Sequence, residues 1–183
     1  KRSVTQLLRE IKAAKSIDNT LLFGSFSTSS QLSFGERLLA DIGYTKERGR
    51  LDLSTHPFSS SAHPTDSRIT TRIHPNSLMS NISVLLHEAG HSFYEMGLPL
   101  DHYGSPLCEA VSLGIHESQS RFWETRIGQS KPFWKYYLPQ LKKAFKGKLD
   151  AYTLDSFYRA INKVTPSFIR VEADEVTYPL HII

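Results

Sequence analysis

Apolar side chains recur every three or four residues along most of this chain, and that period predicts helices. Val4, Leu7, Leu8 and Ile11 predict an amphipathic packing helix over roughly residues 3–15. Ser25 to Ser30 offer N-caps for a second helix through Leu32, Phe34, Leu38, Leu39 and Ile42, closed near Gly43. The period then shortens to two. Arg50 to Ser54 and Arg68 to Ile73 alternate, predicting two strands joined by a loop from His56 to Asp66. Helical spacing returns after Pro75, with Asn76, Ser77 or Ser80 as caps, and carries Leu78, Ile82, Leu85, Leu86, Ala89, Phe93 and Met96 up to the stop at Gly97 and Pro99. Ser105-Pro106 predicts a further helix running to about Ile127 and ending at Gly128. Ser130-Lys131-Pro132 opens an aromatic-rich helix in which Pro139 forces a kink or a restart. One more helix is expected from Leu154 to Val164, and the stretch from Pro166 to Tyr178 begins extended and turns helical near Ala173. The expected fold is mainly α, with one small antiparallel sheet.

Composition narrows the class. With 183 residues, 39% hydrophobic and 22% charged, the chain is long enough for one domain with a sizeable core. The formal net charge of +4 owes much to Lys142, Lys143, Lys146 and Lys148, a pattern of a solvated helix face rather than a nucleic-acid footprint. Cys108 is alone, so there is no internal disulfide, which fits a reducing, cytoplasmic setting. No apolar run approaches the roughly 18 residues of a membrane span, so no membrane partner is expected. The chain starts at Lys1 and stops on the apolar run Tyr178 to Ile183, which suggests a piece of something longer. Asn81-Ile82-Ser83 matches a glycosylation sequon, but its place within a helix marks it as accidental.

The chemistry concentrates in Leu85-Leu86-His87-Glu88-Ala89-Gly90-His91-Ser92-Phe93. At about 100° per residue, His87 and His91 lie about 40° apart on a helix and Glu88 within about 60° of His91. The apolar residues gather on the opposite side. Histidines at i and i+4 can converge on one zinc ion, while the glutamate between them stays back and takes a proton from a zinc-bound water. A glycine inside a helix costs stability, so Gly90 suggests that something approaches closely there. The plain alternative is a solvent-facing helix with two surface histidines. A catalytic zinc also needs a third protein ligand, and the next predicted helix offers Glu109, Glu117 and Glu124. Glu117 has a competing role as an i,i+4 surface ion pair with Arg121. Glu95, one turn beyond His91, is a candidate acceptor for that histidine's second ring proton.

Five motifs in order carry a resemblance: His56-Pro57-Phe58, Asp66-Ser67-Arg68-Ile69-Thr70, the helix from His87 to His91, His116-Glu117-Ser118-Gln119, and Ile169-Arg170-Val171-Glu172-Ala173-Asp174. Together they resemble the carboxypeptidase Taq family of thermostable zinc metallocarboxypeptidases. The family's downstream glycine and Gln-Asp-x-His-Trp run is not in these residues, so the chain reads as the central catalytic segment of a longer enzyme. Within it, helices occupy 1–45, the small sheet 50–73, the zinc helices 76–128 and a helical remainder 130–183. The resemblance implies a groove-shaped helical peptidase similar to neurolysin-like and angiotensin-converting-enzyme-like folds, active as a homodimer. It implies zinc, or another divalent ion such as cobalt, on His87, His91 and Glu117, with Glu88 as general base. It points to Arg170 as the anchor for the C-terminal carboxylate of a peptide, with Arg68 as second candidate and His56 and Asp66 lining the groove. Arg170 has an alternative structural role, paired with Asp174 or Glu172. His63, His74 and His102 are read as loop histidines. The rival activities are an oligoendopeptidase with the same zinc chemistry and a catalytically incomplete metal-binding fragment.

Overall fold

The computed structural model describes residues 2–165 and Val176. Among them, helices α1 (Arg2–Ala13) and α2 (Thr28–Asp41) precede strands β1 (Leu51–Leu53), β2 (Ser59–His63) and β3 (Asp66–Thr71). Helix α3 (Leu78–Met96) carries the two histidines, and α4 (Leu113–Arg121), α5 (Lys131–Ala144) and α6 (Leu154–Ile161) follow. Helix-rich with one small sheet, the architecture is the expected class.

Caps account for several helix starts. Ser27, Ser112, Ser130 and Thr153 each accept a hydrogen bond from the backbone three residues on, satisfying one of the free N–H groups of a first turn. Ser112 also explains a displaced boundary. Ser105-Pro106 opens only a short 3-10 turn, Glu109 is extended, and the helix starts at Leu113. Helix α5 neither restarts nor ends at Pro139; it is continuous from Lys131 to Ala144. Helix α1 forms as its spacing demands, with Val4, Leu8 and Ile11 half-buried and none of its residues fully buried.

The sheet differs from a two-stranded hairpin. The serine-rich connection after β1 contributes β2, and the strand order is β1-β3-β2. The two predicted strands, β1 and β3, pair parallel rather than antiparallel, with Leu51 opposite Ile69, and the antiparallel partner of β3 is β2, which the sequence reading left within the loop. A parallel neighbour needs a long crossover, and the segment between β1 and β3 supplies it.

Helix α3 is sandwiched. Leu78, Ile82 and Leu86 form one stripe that packs with Phe34 and Leu38 of α2, Trp134 and Leu141 of α5, and Phe157 of α6. Trp134 is fully buried, lies edge-on to Phe157 at 4.7 Å, and donates its indole N–H to Gly128 O at 2.6 Å. A second stripe, Leu85 and Ala89, packs with Leu39, Tyr44 and Ile69 beneath the sheet. Buried polar pairs fasten β3 to α3. Thr71 donates to Asn81 Oδ1 at 2.8 Å, Asn81 donates to Gln31 O at 3.2 Å, and Ser67 donates to Ser92 at 2.8 Å. Leaving one such group unpaired in the interior costs about 1–3 kcal/mol, so these bonds fix the register of sheet on helix. Asn81 is fully buried, which bars its sequon from modification.

Candidate metal centre

With two sides of α3 committed to apolar packing, the remaining side meets α4. The crossing is close because of Gly90. A Cβ built there would lie 2.6 Å from Gln119 O and from Ser120 Cα, so the close approach that Gly90 suggests is made by the backbone of α4 itself. Only a residue without a side chain permits this contact. The crossing brings Glu117 over the two histidines.

Glu117 Oε2 lies 3.3 Å from His91 Nε2 and 3.6 Å from His87 Nε2. These are longer than the roughly 2.7–2.9 Å of a direct charge-assisted bond. They match the edge of a tetrahedron around an ion with ligand distances near 2.0–2.1 Å, which is roughly 3.4 Å. All three donor atoms fall within 4.8 Å of one another, the one such three-residue cluster among the described residues. Two imidazoles and one carboxylate form the donor set of a catalytic zinc site, with a coordination position left for water or substrate.

The other ring nitrogens are occupied. His87 Nδ1 donates to Glu124 Oε2 at 2.9 Å, and Arg121 Nη1 donates to the same oxygen at 2.7 Å. That bond leaves the Nε2 lone pair of His87 available to an ion that Glu117 would also hold. His91 Nδ1 lies 2.7 Å from His116 Nδ1, and His116 Nε2 lies 2.7 Å from Glu95 Oε1. Ser120, fully buried, donates to Glu117 Oε2 at 3.0 Å and to Glu117 O at 2.7 Å, which steadies that carboxylate. After Arg121 the helix widens into a π-helical segment, Phe122–Ile127, that carries Glu124. Such wide turns recur at functional sites because they re-aim individual side chains.

The pKa values of Glu88 and His87 both shift upward, by different causes. Glu88 is buried, and desolvation pushes its carboxyl above the ordinary range, with the nearby Glu117 adding to the rise and His87, His91 and His56 opposing it. Burial alone lowers the His87 pKa, but Glu124, Glu117 and Glu88 outweigh it and the net direction is upward. The plain surface reading of the helix fails on exposure, since the side chains of His87 and His91 are 24% and 17% exposed.

The remaining sequence candidates are placed as follows. Glu95 binds His116 rather than His91, because His116 inserts between them. Glu124, one of three candidate third ligands, instead holds His87 from behind. Arg68, the second candidate anchor, is exposed and forms a two-point pair at 3.0 and 2.8 Å with Asp66, expected to line the groove. His56 is exposed, donates through Nδ1 to Pro57 O at 2.8 Å, and lies near enough to Glu88 to influence its charge. His63 packs at a tilt against the Tyr103 ring, with centroids 4.4 Å apart. Arg170 lies outside the described residues. His116 carried no role in the sequence reading, nor did the backing role of Glu124. A usable signal existed for the second: Glu117 and Glu124 are seven residues apart, two turns on one helix face.

The whole chain, residues 1–183, matches the family model described as carboxypeptidase Taq (M32) metallopeptidase. Thermostable carboxypeptidase 1 of Thermus thermophilus is 45% identical over 175 residues, which cover 96% of this chain and 34% of that protein. Carboxypeptidase 1 of Bacillus subtilis is 39% identical over 184 residues, covering 100% of this chain and 37% of that protein. The crystal structure of the M32 carboxypeptidase from Deinococcus radiodurans superimposes with a TM-score of 0.92 at 41% identity, over 98% of this chain and 36% of that one. The chain spans about a third of the length of the relatives it matches.

Proposed function

This chain belongs to the carboxypeptidase Taq (M32) metallopeptidase family, and on that premise we propose that it is the central catalytic segment of a zinc-dependent metallocarboxypeptidase. The reaction is hydrolysis of the C-terminal peptide bond of a peptide. The observation that carries this reading is the convergence of His87 Nε2, His91 Nε2 and Glu117 Oε2 beside a buried Glu88.

His87, His91 and Glu117 would hold a zinc ion, which when bound would supply Lewis acidity toward a peptide carbonyl and acidify water toward a pKa of ~7. Glu88 follows His87 on α3, is buried, and lies outside the three-residue ligand cluster. Its partial desolvation raises its proton affinity, so it takes a proton from the attacking water and hands it to the departing amine. Glu124 keeps the ring of His87 turned so that Nε2 faces the centre. Arg170 anchors the substrate's C-terminal carboxylate through its two-pronged guanidinium, with Arg68 and His56 as further substrate contacts. The segment works in the cytoplasm within a longer homodimeric protein, with peptides as substrates and no nucleic-acid or membrane partner. No helix among the described residues is long and apolar enough to cross a membrane.

The test uses the full-length protein. Glu88→Gln keeps the size and loses the base, so zinc content should stay at the wild-type level while turnover falls by about 10²–10⁴. Full activity in that variant contradicts the mechanism. A peptide whose C-terminus is an amide should resist cleavage; equal cleavage of amide and free acid would favour an internal-bond peptidase.

A further inference from the structure

We propose that His116 is a positioning residue: by bridging His91 to Glu95 it fixes the ring of His91 in the orientation and tautomer that metal binding requires. The inference rests on the metal-site reading above and extends it to a residue outside the ligand set.

The geometry is a three-membered chain. His91 Nδ1 and His116 Nδ1 are 2.7 Å apart, and His116 Nε2 is 2.7 Å from Glu95 Oε1. An ionised carboxylate only accepts, so His116 Nε2 carries a proton and donates to Glu95. For His91 to offer the lone pair of Nε2 to an ion, its own proton must sit on Nδ1. His116 Nδ1 is then the acceptor of that proton. With His91 Nε2 reserved for an ion, one assignment satisfies all three groups: His91 Nδ1–H to His116 Nδ1, and His116 Nε2–H to Glu95. The acceptor at His116 therefore selects the tautomer of His91, as Glu124 does directly for His87.

The bridge is itself held in place. Tyr94 meets the His116 ring edge-on at 5.1 Å, and its hydroxyl accepts from Val111 N at 3.1 Å, tying α3 to the segment that leads into α4. The His116 and Glu95 side chains are 19% and 22% exposed, so solvent competes only weakly for their bond. His91 and Glu95 are one turn apart on α3, whereas His116 comes from α4. The chain thus ties both helices to one ligand. A histidine beside Glu117 on α4 accordingly serves the partner helix.

The experiment measures divalent-metal affinity in the full-length protein by chelator competition, using zinc, and records the visible absorption of the cobalt-loaded form. His116→Phe retains bulk and the contact with Tyr94 but can neither accept nor donate. It should weaken zinc binding about tenfold to a hundredfold, with an unchanged melting midpoint for the metal-free protein and an altered cobalt spectrum. His116→Gln offers an oxygen and an N–H at similar spacing and should recover part of the loss. Glu95→Ala should weaken binding less than His116→Phe, and the double variant should be no worse than His116→Phe alone, because both act through one chain. If His116→Phe fails to fold, Glu95→Ala carries the test. Wild-type zinc affinity in both His116→Phe and Glu95→Ala overturns the positioning role and leaves the metal site standing. A wild-type protein that binds no stoichiometric divalent ion overturns both.

Discussion

Helix α3 borders two regions built on opposite terms. Toward α2, α5 and α6 it presents Leu78, Ile82 and Leu86 to a core centred on Trp134, where almost every contact is apolar. Toward α4 it presents His87 and His91 to Glu117, Glu124 and His116, where the contacts are hydrogen bonds and charges. The first region supplies stability and tolerates any well-shaped apolar filling. The second adds little net stability, since the attraction between largely buried charged groups is offset by the cost of desolvating them, but it holds donor atoms at ligand spacing. The lesson is a division of labour on one helix: substitutions on one side should change folding, and those on the other should change metal affinity.

The sharpest way to break that division is Trp134→Ala. Removing a fully buried indole and leaving a cavity should cost about 3–5 kcal/mol, read as a lower denaturation midpoint in urea. Metal affinity of the molecules that remain folded should not change; an equal loss in both would show that the two regions are one. Glu124→Ala probes the other side. Freed from its partner, the His87 ring should lose its fixed orientation, and zinc affinity should fall about tenfold to a hundredfold while the metal-free melting midpoint stays within a degree or two. Gly90→Ala tests the seam between the regions. Alanine gains about 1 kcal/mol of helix propensity, but its Cβ meets backbone atoms of Gln119 and Ser120 that cannot step aside, at a cost of about 1–3 kcal/mol. The net loss of stability should be small, and the forced separation of α3 and α4 should show as weaker zinc binding. A more stable protein with unaltered affinity would remove Gly90 from the account.

How legible each region was follows from the same contrast. Apolar stripes repeat at fixed spacing, so the burial of Leu78, Ile82, Leu85 and Leu86 and the run of α3 to Met96 were readable directly. The His87, Glu88 and His91 cluster was readable because all three stand on one helix. Glu117 required a second helix to cross at a known place, and only Gly90 hinted at where. The β2 strand was hidden because Ser59-Ser60-Ser61 has loop composition and pairs through its backbone to β3. The link from His91 through His116 to Glu95 was misread as a direct contact because spacing within α3 cannot reveal a side chain inserted from α4. Arg170, expected to hold the substrate carboxylate, falls outside the described residues, so its role rests on the motif around it.

The central claim is that His87, His91 and Glu117 hold a metal ion on which peptide hydrolysis depends. The most direct measurement is elemental analysis of the purified full-length protein, paired with cleavage of a free-acid peptide before and after chelation and after zinc is restored. One zinc per chain, activity lost on chelation and regained with zinc, and neither metal nor activity in His91→Ala is the predicted result. Undiminished cleavage by a metal-free protein, or stoichiometric zinc in His91→Ala, would contradict it.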